Sequence, residues 1–340
     1  YPNTSVGAPE TLIVVHLIAI GWLSVLMLGA LLQFLPVLVG RELALPRLAP
    51  MMLAAIVSGL LLLLSGFGGL AGWPGQLSDL MPWGGALIVA GFLLGAIILF
   101  TTLLRSQSLP LPAGFVAVAL MSALIAVMLG DTLASVLAGM IGGDFSVALV
   151  THGLPLHAAF GLGGWLSLAA MGVSYRLVSM FIVAPERTGV LPRTTFGGAL
   201  VALALLCAAL GVLIAQNAPW PTGLGLAALA AVAAVVAYLG DIVALYRGRR
   251  RPKLELHMAA AIGAFAMLGL SVAALIWSVA AANQLGVVAA VYLLALGWLS
   301  GLGLAMLYKI VAFLTWLECF APLMGRTPTP RVQDLVREDR

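Results

Sequence analysis

Charge is scarce in this sequence. Only 8% of its 340 residues are Asp, Glu, Lys or Arg and 63% are apolar, whereas soluble domains are about a quarter charged. That balance excludes an ordinary water-soluble domain and predicts an all-α, polytopic helical membrane protein. Cysteine is scarcer still. Cys207 lies inside an apolar run and Cys319 near the end of the last one, so neither a disulfide framework nor a cysteine ligand cluster is expected. The 16 basic residues outnumber the 12 acidic ones and leave a formal charge of +4, yet they gather between the apolar runs and act as topology signals. No nucleic-acid partner follows. The Arg249 to Arg251 cluster offers at most a contact to anionic lipid.

Long apolar runs are what the sequence has in abundance. Nine spans are read at 11–38, 51–72, 83–104, 113–138, 154–183, 194–216, 223–246, 256–280 and 286–318, within one transmembrane domain covering 1–325. The connections after spans one, three, five, seven and nine carry the arginines, from Arg41 and Arg47 through Arg247 to Arg331, Arg337 and Arg340. The alternate connections carry Asp79 and Asp144 and no basic residue. This asymmetry predicts an outside N-terminus and a cytoplasmic tail over 326–340, in a bacterial inner membrane. Gly139 to Gly153 is too polar and glycine-rich to cross, and is expected to lie along the outer surface. The chain begins at Tyr1 rather than Met, so a segment upstream is expected, and whether it holds a further helix stays open. The first run lacks a small-residue cleavage pattern and reads as structure, not as a signal peptide.

Gly-Trp-Leu-Ser occurs three times, at Gly21 to Ser24, Gly164 to Ser167 and Gly297 to Ser300. With Trp22, Trp165 and Trp298 aligned, Gly29, Gly172 and Ala305 share a column, as do Gln33, Arg176 and Lys309. The copies fall in spans one, five and nine. A unit of four helices preserves topology, so the repeats are parallel and related by an axis along the membrane normal.

Four histidines are present. His16 and His157 lie on repeat-related spans near the outer leaflet, with His152 just before span five. An imidazole in such sequence needs a hydrogen bond from another helix or a metal. His16 and His157 are the candidate metal ligands, with His152 as the alternative to His157. Two imidazoles from separate helices suit the axial positions of a haem b, and no Cys-x-x-Cys-His is present for covalent attachment. Zinc would call for more ligands than this depth supplies. Asp131, in span four, is placed to hold a ligand imidazole in one tautomer or to mark a proton path. Trp22 and Trp165 are expected beside the macrocycle edge, with Phe160. On the tryptophan alignment His16 corresponds to Ala159, so His157 is displaced by two residues, about 200° of α-helical rotation. An irregular start to span five, through Pro155 and Gly161, would absorb this. On the inner half, Arg176 and Lys309 are expected to snorkel or to pair with Asp241, lipid phosphate or a quinone headgroup. His257, after Glu255 at a helix start, reads as a surface residue.

Span one, with His16, Gly29 and Pro36, resembles the histidine-bearing helices of the haem-copper oxidase subunit I superfamily. Span five, with His152, His157, Gly172, Tyr175 and Met180, resembles the corresponding helix of the NnrS-like membrane haem proteins, and the closing span GWLSGLGLAMLYKIVAFLTWLECF is similar to theirs. The resemblance implies three parallel four-helix arcs around haem. It also implies that span one corresponds to the family's second helix. The family's enzymes carry further histidines for a copper or iron partner, whereas span nine has Tyr292 at the position of His16 and span six has no histidine. Copper is therefore not expected. What the resemblance leaves is one haem b serving electron transfer or a nitric oxide or dioxygen response, with quinol or a respiratory subunit as partner and a homo-oligomer as an open arrangement. Whether the chain is an enzyme stays open. The alternative is a non-haem transporter or scaffold subunit with Asp131 and Asp241 along its path.

Overall fold

The computed structural model describes residues 7–107, 109–187, 189–281 and 284–335. Arg337 and Arg340, read above as topology signals, lie outside the described residues. Among the described residues nine helices are long and apolar enough to cross a membrane: Pro9–Val39, Pro46–Leu70, Leu77–Leu104, Leu111–Leu137, Asp144–Phe181, Val190–Gln216, Pro221–Arg247, Leu256–Ala280 and Leu285–Leu323. They are called spans 1 to 9. No strand is found among the described residues. The chain is a multi-pass, all-α membrane protein. Large side chains such as Leu61, Met121 and Leu229 are well exposed, a surface that would aggregate in water and that hydrocarbon satisfies.

Span 5 begins ten residues earlier than expected, at Asp144. Gly139 and Gly143 take positive φ and turn the chain after span 4, a conformation that glycine adopts without steric cost. The stretch from Asp144 is then the opening of the span 5 helix and not a separate surface segment. Its apolar residues explain why: Ala148, Leu149 and Leu156 pack with Ala209 and Leu213 of span 6.

Contacts divide the chain into two units, Tyr1–Tyr175 with Thr188–Tyr238, and Arg176–Arg187 with Leu239–Arg340. In the first, spans 2 and 3 meet at their backbones. A β-carbon on Gly59 would lie 2.7 Å from the Gly84 carbonyl oxygen, so small residues let the helices close where lipid gives no hydrophobic drive between them. In the second, Tyr246 Oη donates to the Met258 carbonyl at 2.8 Å and ties span 7 to span 8.

Three of the helices change pitch. π-helical stretches cover Leu17–Ser24, Ala159–Ser167 and Leu293–Ser300, so each Gly-Trp-Leu-Ser copy closes one. Such widened turns are rare and cluster at functional sites. Two of the serines reinforce them, with Ser24 Oγ donating to Ala19 O at 2.7 Å and Ser167 Oγ to Leu162 O at 2.6 Å. A fourth π stretch, Leu149–Gly153, precedes Pro155. Proline has no N–H to give and crowds the preceding turn, which a widened turn tolerates.

Candidate functional site

His16 ends the α-helical opening of span 1, one residue before its π stretch. Its ring reaches back one turn, and Nδ1 lies 2.8 Å from the Leu12 carbonyl oxygen. His157 lies between the two π stretches of span 5, and its Nδ1 is 2.9 Å from the Ala126 carbonyl oxygen on span 4. A carbonyl only accepts, so each Nδ1 carries a proton, and in the neutral ring Nε2 is then the atom with the lone pair. That is the tautomer in which imidazole binds a metal through Nε2 while Nδ1–H is held from behind.

The two rings face one another with centroids 6.2 Å apart and planes 21° from parallel. Phe67 of span 2 stands against His16 at 5.1 Å. Both histidines line a partly open cavity of about 140 Å³ whose lining comes from Gly7 and spans 1 to 5, roughly ten waters' worth of room at 10–15 Å³ each. Its walls are apolar apart from His16, His157 and Asp131. Gly130 brings span 4 against the imidazole, since a β-carbon there would stand 2.8 Å from His157 Cε1. Asp131 packs its carboxyl against Gly85, with Oδ1 buried and without a hydrogen bond among the described residues. It holds neither Nδ1. The expectation that Asp131 fixes a tautomer is corrected, because backbone carbonyls fix both.

The two-residue displacement has a geometric answer. Trp165 Nε1 donates to Ser24 Oγ at 3.0 Å across 141 residues of sequence, and His16 and His157 are also 141 positions apart. Trp22 and Trp165, the repeat-equivalent pair, are 143 apart. Spans 1 and 5 therefore meet two residues out of repeat register, and both histidines reach one cavity. Span 5 is irregular on both sides of His157, through the π stretches that precede and follow it. A single sequence does not reveal this register, because it is a property of the contact.

The cavity brings together His16, His157 and Asp131. The half-buried His152, in the first π stretch of span 5, is not in its lining, nor are Trp22, Trp165 and Phe160. Trp22 is 37% exposed, while Phe160 is fully buried in the core with Leu156 and Leu213. Sequence reading missed Gly130, Phe67 and the Ala126 carbonyl. A Gly-Asp pair inside the apolar span 4 was the available signal for the first.

In the second unit the inner polar residues pair differently from expectation. Asp241 is fully buried and accepts from Arg187 Nε at 2.6 Å, Arg176 pairs with Glu186, and Lys309 Nζ lies 2.6 Å from Glu255 Oε2. Glu255 also takes Arg251. Burial opposes ionisation of Glu255, but Lys309 and then Arg251 outweigh it and hold the carboxyl below its usual range. His257 is only 2% exposed rather than at the surface, because Phe181 packs edge-on against its ring at 4.8 Å.

Among the described residues no three His, Cys, Asp or Glu side chains converge to hold a metal ion. Two imidazoles cannot fill the shell of zinc, which takes three or four protein ligands. Two imidazoles alone would leave most positions of any metal they held to be filled by another group. No family model matches the chain, and no curated protein matches it.

Proposed function

We propose that the chain is a haem b-binding integral membrane protein of the haem-copper oxidase subunit I-like type, with His16 and His157 as axial ligands through Nε2. The observation that carries this reading is the pair of facing imidazoles whose Nδ1 atoms are both held by carbonyls. Haem held by both imidazoles would supply one-electron exchange, and such a site would suit electron transfer better than nitric oxide or dioxygen binding.

The chain's own contribution is orientation and an apolar setting. The Leu12 and Ala126 carbonyls accept from the two Nδ1 atoms and aim the imidazoles, and Leu63, Phe67, Ile88 and Val127 surround them with hydrocarbon, which would tune the potential of a bound iron. Quinol or a respiratory subunit in a bacterial inner membrane is the proposed electron partner, with the N-terminus outside.

The test is the absorption spectrum of detergent-purified protein. A Soret band with a low-spin six-coordinate pattern is expected, and His16→Ala and His157→Ala should each abolish that pattern. Protein expressed with ample haem that shows no Soret band, or that stays low-spin in both variants, would overturn the reading.

A further inference from the structure

We infer that the Trp165–Ser24 hydrogen bond is a positioning device that sets the register between spans 1 and 5 and so brings two histidines to one centre. The inference rests on the haem reading for its spectroscopic test. Leucine against leucine does not fix a register in a bilayer, since a slipped helix meets equally apolar neighbours. A buried directional bond does, because slippage leaves its polar atoms unpaired. Trp165 and Ser24 are each 3% exposed. The Ser24 hydroxyl proton is already committed to the Ala19 carbonyl, so its oxygen is left to accept from the indole.

The two contacts form a ladder. Ser24 lies eight residues after His16, and Trp165 lies eight residues after His157, so the hydrogen bond and the imidazole pair are rungs of the same register. In the tryptophan alignment, Ser24 and Trp165 are not equivalent positions. The serine of one copy engages the tryptophan of the next, and this choice produces the 141-residue offset. A slip of one turn would displace His157 by about 5 Å along the helix. Two further hydrogen bonds of span 5, Ser122 Oγ to Phe160 O at 3.0 Å and His157 Nδ1 to Ala126 O, bind it to span 4.

The full-length chain carrying Ser24→Ala, Trp165→Phe, both together, or Ser24→Thr separates positioning from general stability. Low-temperature electron paramagnetic resonance of the oxidised protein and the midpoint potential are the readouts. Ser24→Ala and Trp165→Phe should shift the low-spin g values and the potential in the same sense, the double variant should go no further, and Ser24→Thr should return to wild type. Wild-type g values and potential in Ser24→Ala, or no rescue by Ser24→Thr, would overturn the inference. A second arm needs no haem. With Cys207→Ser and Cys319→Ser as background, His16→Cys with His157→Cys is joined by a short thiol cross-linker, and adding Ser24→Ala should slow the joining severalfold. An unchanged rate refutes positioning. A wild-type protein without haem refutes the function proposed above, while the cross-linking arm still decides this one.

Discussion

A β-carbon on Gly130 would stand 2.8 Å from Cε1 of His157 and 3.3 Å from its Nδ1. Span 4 thus gives the imidazole both its hydrogen-bond acceptor, at Ala126, and the room in which to lie. Gly130→Ala should cost about 1–3 kcal/mol by overpacking and, on the haem b reading proposed above, disturb the low-spin spectrum. Gly163→Ala is the control, since nothing lies within 4 Å of a β-carbon there. Equal melting temperatures and spectra for the two variants would contradict this account.

Arg187 is the partner of a carboxylate with no exposure of its own. Removing one member of a buried pair leaves an uncompensated charge. Arg187→Ala is expected to lower stability by about 2–4 kcal/mol, toward the low end of the range for buried pairs because the arginine side chain is 36% exposed. Asp241→Asn with Arg187→Ala should recover part of the loss. Denaturant titration of purified protein measures both, and an unaffected single variant would refute the pairing's importance.

Glu255 has a carboxyl held below its usual range by Lys309 and Arg251. A depressed folded value means stability that is present above the unfolded value and lost as pH falls through the folded one. The melting-temperature difference between wild type and Glu255→Gln should therefore be full near neutral pH and shrink on the acid side of the ordinary carboxylate range. Parallel pH profiles for the two proteins would show that the carboxylate contributes nothing.

Orientation is open to a direct check. Arginines fill alternate connections, so a fusion placed after Arg326 should report from the cytoplasm. An alkaline phosphatase fusion at that point that is active, with an inactive green fluorescent protein counterpart, would reverse the topology.

Some of this was legible in the residues. Apolar runs of twenty or more give spans directly, because every backbone polar group in a bilayer must be satisfied within its own helix. The nine-span count came from that constraint, and so did the choice of His16 and His157 as the imidazoles needing partners. The three Gly-Trp-Leu-Ser copies were visible as text. Their shared π-helical conformation was not, since a widened turn depends on how each carbonyl is shared among several donors. The opening of span 5 at Asp144 was missed for a related reason: glycines and polar residues read as a surface segment until the packing of Leu149 and Leu156 against span 6 is known.

The sequence by itself determined the class of the protein, the nine spans found among the described residues and which side chains were chemically out of place in hydrocarbon, since those follow from composition and from local hydrogen bonding. Only the tertiary structure decided which partner each of them took. Asp241 went to Arg187, Lys309 to Glu255, and the Nδ1 atoms of His16 and His157 to backbone carbonyls. The register between spans 1 and 5 belongs to the same category. An apolar helix carries no local mark of where its neighbour begins, so the 141-residue offset exists only once Trp165 has found Ser24.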